Sequence, residues 1–226
     1  MHIGLIGGIG VAATVVYYQR LTRAVARRGG TLELTIAHGD IETLIRNFNA
    51  GQPDTQAQVY ATLIDRLKAA GCDCAAITSL GGHFCFDETV PRSSLPLVSA
   101  VAPLDDYFAE QGIGTIGLLG TWFVMQSRLF GQLRKTRAVA LDDEVHDLGQ
   151  TYQDIAVSGV CSEEQRDILF DAGRRMVDMG AEAIVLAGTD LNLAFEGRNP
   201  GFRVIDALDV HVDLLADLAT GARALP

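Results

Sequence analysis

The sequence predicts an α/β protein of two pseudo-symmetric three-layer domains, each a mainly parallel sheet covered by helices. Three observations carry this. Apolar runs of strand length alternate with helical patterns along the whole chain. A strand running into a glycine turn occurs twice, as Ile3-Gly4-Leu5-Ile6-Gly7-Gly8 and as Ile116-Gly117-Leu118-Leu119-Gly120-Thr121. A second segment, Ala70-Gly71-Cys72-Asp73-Cys74-Ala75-Ala76-Ile77-Thr78-Ser79, is echoed by Met179-Gly180-Ala181-Glu182-Ala183-Ile184-Val185-Leu186-Ala187-Gly188. Equivalent strand ends of such a pair are expected to face each other across an interdomain cleft, the usual place for a small ligand in an α/β protein. The matched residues at those ends are Ser79 and Gly188.

Taken in order, the apolar runs predict strands at 2–6, 32–37, 74–78, 97–98, 115–119, 138–140, 183–187 and 203–205. Helical spacing predicts helices at 11–28, 55–70, 104–111, 121–135, 163–179 and 208–219. Gly71 and Gly180 stand where a helix ends in a left-handed residue, and Ser162 before Glu163 and Glu164 reads as an N-cap with favourable first-turn charge. The last helix has no counterpart at the end of the first half. The first domain is therefore expected to be discontinuous, 1–99 plus 206–226, with the second at 100–205.

Composition sets the class. The chain has 226 residues, 48% hydrophobic and 20% charged, which describes a well-packed globular protein and excludes a disordered one. Its net charge of −10 is scattered over helices and leaves no basic stripe, so nucleic acid and anionic membrane are poor partners. No apolar run approaches the roughly 18 residues that span a bilayer, and Met1-His2 leads directly into a strand; a cytoplasmic location is expected. Cys72, Cys74, Cys85 and Cys161 do not make a disulfide framework in a chain of this length and are expected to be reduced thiols. Cys72-Asp73-Cys74 is half a metal site without a partner pair, so no metal is assigned.

Gly7-Gly8-Ile9-Gly10 lies between a strand and a helix. It reads either as a tight turn that lets the helix pack closely or as a cradle for a ligand carboxylate, and it lacks the full dinucleotide fingerprint. Here the residues resemble a family. Ile3-Gly4-Leu5-Ile6-Gly7-Gly8-Ile9-Gly10-Val11-Ala12-Ala13-Thr14 is similar to the opening of the aspartate/glutamate racemases, I-G-[IL]-[IL]-G-G-M-G-P-x-A-T, and Leu118-Leu119-Gly120-Thr121 resembles their second-half strand and turn. Ile77-Thr78-Ser79-Leu80-Gly81-Gly82-His83 lies where the family has C-N-T-x-H, and Ala187-Gly188-Thr189-Asp190 where it has G-C-T-E. The resemblance runs the length of the chain.

The resemblance implies a cofactor-independent isomerase acting on a small amino-acid-like or carbonyl-acid substrate, and a homodimer. It also implies a mechanism in which two cysteines flank the substrate α-carbon, one removing a proton and one delivering it on the opposite face. This sequence departs from that pattern at the decisive points. The cysteine positions are Ser79 and Gly188, the substrate-holding Asn and Thr are Leu80 and Gly81, and the basic residues that grip a distal carboxylate fall near Thr43 and Val157.

The remaining polar residues make up the candidate site. Ser79 is either a turn hydroxyl or a ligand donor and nucleophile. His83, one helical turn on, matches the family histidine; a helix beginning at Ser79 would put the two side chains on one face, where they can hydrogen-bond. Asp190 is placed to orient a histidine or accept a ligand amine. His211 is either structural or close to the ligand. With Ser79, these are the candidate catalytic groups. Gly8, Gly81, Gly82, Thr121, Trp122, Gly188 and Thr189 are the candidate substrate-binding residues, Trp122 and Phe123 making the site more apolar than a dicarboxylate favours. Cys85 reads as a packing cysteine, with a displaced catalytic thiol as the alternative. The function read from these residues is a superfamily enzyme with non-standard catalytic groups. The rivals are lyase, decarboxylase or hydrolase chemistry through Ser79, His83 and Asp190, and a silent ligand-binding member.

Overall fold

A computed structural model describes residues 1–225. The chain forms two compact units, Met1–Ala100 joined by the chain from His211 onward, and Val101–Val210. The first contains β1 (His2–Gly7), α1 (Val11–Arg27), β2 (Glu33–His38), α2 (Ile41–Asn49), α3 (Pro53–Ala69), β3 (Cys74–Ile77), α4 (Phe86–Thr89) and β4 (Leu97–Val98). The second contains α5 (Leu104–Glu110), β5 (Thr115–Gly120), α6 (Trp122–Gln126), β6 (Arg137–Val139), α7 (Val145–Ser158), α8 (Glu163–Asp178), β7 (Ala183–Ala187), α9 (Asn192–Phe195) and β8 (Val204–Asp206). The last helix, α10 (Ala207–Thr220), begins in the second unit and ends in the first.

Both sheets are four-stranded and parallel, in the orders β2-β1-β3-β4 and β6-β5-β7-β8. The repeated sequence signature is thus a repeated topology. Strands covered on both faces need near-continuous apolar runs, and Ile3, Leu5 and Ile6 in β1, like Ile116, Leu118 and Leu119 in β5, are fully buried. The glycine inside each run has a packing reason. A Cβ on Gly4 would stand 2.9 Å from the Cys74 carbonyl and 3.0 Å from Leu67 of α3, and one on Gly117 would stand 2.5 Å from Ile184 and 3.0 Å from Met176 of α8. In each unit the glycine lets one helix settle onto the sheet.

The predicted strands fall within about a residue of those observed, but several helical features differ, the short α4 and α9 among them. The helix expected at 121–135 stops at Gln126, because Arg128, Leu129 and Phe130 adopt φ of 53°, 57° and 58° before Gly131 and so turn the chain left-handed. Helix α2, which the apolar pattern does not announce, is started by Asp40, whose carboxylate accepts from Thr43 N–H. Helix α7 was also not anticipated, although Val145, Leu148, Gly149, Tyr152 and Ile155 lie on its buried face at helical spacing. Its interior glycine hides that pattern. Among the described residues no helix is long and apolar enough to cross a membrane.

Candidate functional site

In the first unit the chain leaves β1 through Gly8, at φ 83°, beside the end of β2. The His38 ring and the Gly39 carbonyl stand where a Gly8 side chain would go, so only glycine fits this left-handed turn. The N–H of Gly8 donates to Thr14 Oγ1 at 2.9 Å, and the Thr14 hydroxyl donates to the Gly10 carbonyl at 2.8 Å. Thr78 donates to the Ile6 carbonyl at 2.9 Å, 3.5 Å from the Thr14 oxygen. The turn is thus braced by two threonines, one from α1 and one directly after β3. Of the backbone groups in this turn, the Gly8 N–H is used inside the protein, by Thr14.

At the end of β3, Ser79 is buried and its Oγ accepts from Gly82 N–H at 3.1 Å. The turn it opens, Gly81–Cys85, is a tight 3-10 turn, and Gly82 has no room for a side chain because the Tyr60 hydroxyl would lie 2.6 Å from its Cβ. His83 does not bond to the Ser79 side chain. Its Nδ1–H donates instead to the Ser79 carbonyl at 2.7 Å, and its Nε2 accepts from Ala100 N–H at 3.0 Å. These two partners fix the tautomer and consume the lone pair a general base needs. The ring stacks on Phe86 at 5.2 Å, and burial pushes its pKa down to about 4 against the pull of the Ser79 carbonyl. A Ser79–His83 nucleophile pair is therefore not assembled.

His211 is fully buried, with Nδ1 2.8 Å from the Tyr17 hydroxyl. Burial first, then the neighbouring His83, push its pKa down to about 3, with the Val98 backbone opposing. Both histidines are neutral tethers between elements of the first unit. Cys85 is a core residue: its thiol donates weakly to the Gly82 carbonyl at 3.7 Å and burial pushes it up to about 12, so the displaced-thiol alternative falls. Cys74 is likewise pushed up to about 11 by burial.

In the second unit β7 ends at Ala187, and Gly188 faces Tyr152 of α7. A Cβ on Gly188 would lie 2.8 Å from Tyr152 Cζ and 2.9 Å from Cδ2. The Tyr152 hydroxyl donates to Asp190 Oδ2 at 3.4 Å, and burial together with the Asp190 charge pushes its ionisation far up, Thr189 opposing. Asp190 and Thr189 are buried. Asp190 therefore accepts from a tyrosine of its own unit. Sequence reading missed Tyr152 because the helix carrying it was missed.

Across the sheet, Thr121 at the end of β5 caps α6, its Oγ1 accepting from Val124 N–H at 3.3 Å. The half-buried Trp122 stacks on His146 at 5.0 Å and meets Phe123 edge-on at 5.6 Å. Gly149 permits this, since a Cβ there would lie 2.6 Å from Trp122 N. The left-handed turn that follows costs roughly 1–2 kcal/mol for each of its three non-glycine residues. It is held by the fully buried Leu129 and by Arg128, which donates to the Met125 carbonyl and, at 2.7 Å, to Asp142. One further residue belongs with the site by position. His38 is exposed at the end of β2, in register with Gly7, and its only sequence signal is a histidine closing an apolar run.

The model of the family described as Asp/Glu/Hydantoin racemase matches residues 6–215. A candidate Asp/Glu racemase from Yersinia pestis superposes with a TM-score of 0.82 at 25% identity, over 97% of this chain and 99% of that one. An aspartate racemase homologue from Pyrococcus horikoshii gives 0.75 at 21% identity, over 97% and 99%. The aspartate racemase of Picrophilus torridus gives 0.76 at 19%, over 100% and 96%. The two more distant structures share the fold.

Proposed function

Because the chain belongs to the Asp/Glu/Hydantoin racemase family, we propose that it binds a small carboxylic acid at the carboxyl-terminal strand ends of its sheets and acts without a cofactor, but does not racemise amino acids by two-thiol proton exchange. The observation that carries this reading is the Tyr152 ring against Gly188. The position of the second family cysteine has lost not only its thiol but the space for one. At the first position the Ser79 hydroxyl is engaged by Gly82 N–H, and an alcohol is too weak an acid to replace a thiolate without a base.

A second reading is favoured by Tyr152 itself. Its hydroxyl keeps its proton, lies beside Asp190, and stands at the end of β7. A single carboxylate, Asp190, with the Tyr152 hydroxyl as its donor suits proton transfer on one face of a carbon, as in a lyase or decarboxylase, and does not suit racemisation. The hydrolase alternative is not favoured through His83, which is engaged at both nitrogens.

The test is thermal melting with propionate, malonate, aspartate and glutamate, followed by calorimetric titration of any acid that acts. At least one acid is expected to raise the melting temperature in proportion to its concentration. A panel that leaves it unmoved at tens of millimolar contradicts the binding reading. Loss of turnover, with binding retained, in Tyr152→Phe supports the second reading, and unchanged turnover removes it.

A further inference from the structure

The free edge of the first sheet adjoins an apolar face of α1. β2 stands at that edge, paired with β1 alone. Gly39 N–H donates to the Gly7 carbonyl, so by the alternation of a strand the odd-numbered residues face β1, while Leu34, Ile36 and His38 turn their N–H and C=O outward. Open edges are normally blunted by lysine, proline or a bulge; Glu33–His38 contains neither residue, and its register with β1 is unbroken. Ile36 is 39% exposed and lies on the face of the sheet that α1 covers, where it and Thr14 both border the space above Gly7. Around Thr14 on α1, Val11, Val15 and Tyr18 recur at helical spacing and are 58, 50 and 53% exposed. Solvent-facing helix positions are ordinarily polar, so an exposed apolar stripe beside an unpaired strand edge marks an interaction surface.

Symmetry and charge select the occupant. An open edge is complementary to itself in antiparallel pairing, and a two-fold axis perpendicular to the sheet sets residues of equal parity opposite one another. With Ile36 on that axis, the two Ile36 residues exchange both backbone bonds and Leu34 does the same with His38 of the second copy. Every outward group of the strand is then used. The same axis brings both stripes of Val11, Val15 and Tyr18 to one side of the joined sheet. α1 runs back against β2, and Arg23 lies about 13 Å along it from Thr14. The axis carries Arg23 to the level reached about four strand residues beyond Ile36 in the second copy. Asp40 and Glu42 stand there, offset only in part by Arg46, and Arg23 and Glu42 are both exposed. The charges of the two copies are thus complementary across the axis.

We infer that this surface binds a second copy of the chain, β2 pairing antiparallel with β2 about Ile36 so that the two first-unit sheets become one. Sedimentation of the full-length protein at tens of micromolar is expected to give twice the mass of one chain. Ile36→Pro removes an outward N–H, spares the bonds to β1, and is expected to weaken the dimer about tenfold or more. Arg23→Glu is expected to weaken it severalfold, and Arg23→Glu combined with Glu42→Arg to restore it. Cross-linking reads the contact even where a variant folds poorly. In a Cys161→Ser background, Ile36→Cys is expected to give a disulfide-linked dimer on mild oxidation, because facing Cα atoms of such a pair stand about 5.5 Å apart. His38→Cys is not, its two copies being roughly 13 Å apart. A monomer at these concentrations overturns the inference, as does a dimer in which Ile36→Cys fails to cross-link. Equal cross-linking through His38→Cys overturns the pairing about Ile36. Cross-linking at Ile36 without rescue by the charge exchange supports the strand pairing and removes the contact between Arg23 and Glu42.

Discussion

The ring of Tyr152 occupies the space that any side chain on Gly188 would need, with Cζ 2.8 Å from the position of its Cβ. The two residues are a matched pair: a large ring on α7 is tolerated because the end of β7 carries no side chain. Restoring a cysteine at position 188 is therefore a packing problem before it is a catalytic one.

Gly188→Cys is expected to destabilise the protein by about 1–3 kcal/mol, the usual cost of overfilling a packed site. Combining it with Tyr152→Ala should cost less than the sum of the two single changes, because the cysteine enters the space the ring leaves. Urea denaturation of the wild type, both single variants and the double variant measures this coupling. Strict additivity would mean that the pair does not interact.

Acid should unfold this protein through its buried imidazoles. His83 and His211 titrate near 4 and 3 when folded, below the unfolded value of about 6.5, so the unfolded chain binds their protons first. Stability is complete above about pH 6.5 and falls as the pH drops towards 4, by up to about 1.4 kcal/mol per pH unit for each histidine. Denaturation midpoints between pH 7 and 4.5 test the direction, and a flat profile would contradict the neutral, tethered state of both rings. His83→Gln should flatten the profile partly.

Thr14 joins Gly8 to Gly10 through one hydroxyl. Thr14→Val keeps the shape, removes both bonds and strands a turn N–H, so a loss of about 1–3 kcal/mol is expected. Thr14→Ser should retain most of the stability. If the serine variant melts as early as the valine variant, methyl packing rather than the hydroxyl holds the turn.

Thiol accessibility distinguishes the cysteines. Cys72, Cys74 and Cys85 are buried, with their thiols pushed up by burial, while Cys161 is partly exposed. A thiol reagent applied to the native protein should label Cys161 first, and Cys161→Ser should remove the fast phase. Fast labelling of Cys85 would revive it as a reactive group.

How far these features are legible in the sequence depends on whether they are local. Strands 2–6 and 115–119 are readable because burial on both sheet faces demands an unbroken apolar run, and the glycines within them mark close helix packing. The segments that resemble the family motifs carry Ser79 and Gly188 where those motifs have cysteine, which is a local feature and readable from the sequence. The commitment of His83 to the Ser79 carbonyl and Ala100 N–H is not legible, because a residue type does not reveal which backbone groups it will meet. Tyr152 was hidden for a different reason: Gly149 interrupts the apolar face of α7, and its purpose, the approach of Trp122, appears only in three dimensions. The left-handed residues 128–130 break a helical pattern that has no proline to announce the break.

Solvent-deuterium exchange reads out two-thiol proton exchange, which we propose this protein has lost. L- and D-aspartate and L- and D-glutamate are incubated with the protein in deuterated water and their α-proton signals followed by NMR. No protein-dependent loss of signal and no appearance of the opposite enantiomer are expected. Rapid exchange of either amino acid that persists in Cys85→Ala would contradict this, since the α-proton would then be moving at a site without a thiol at Ser79 or Gly188.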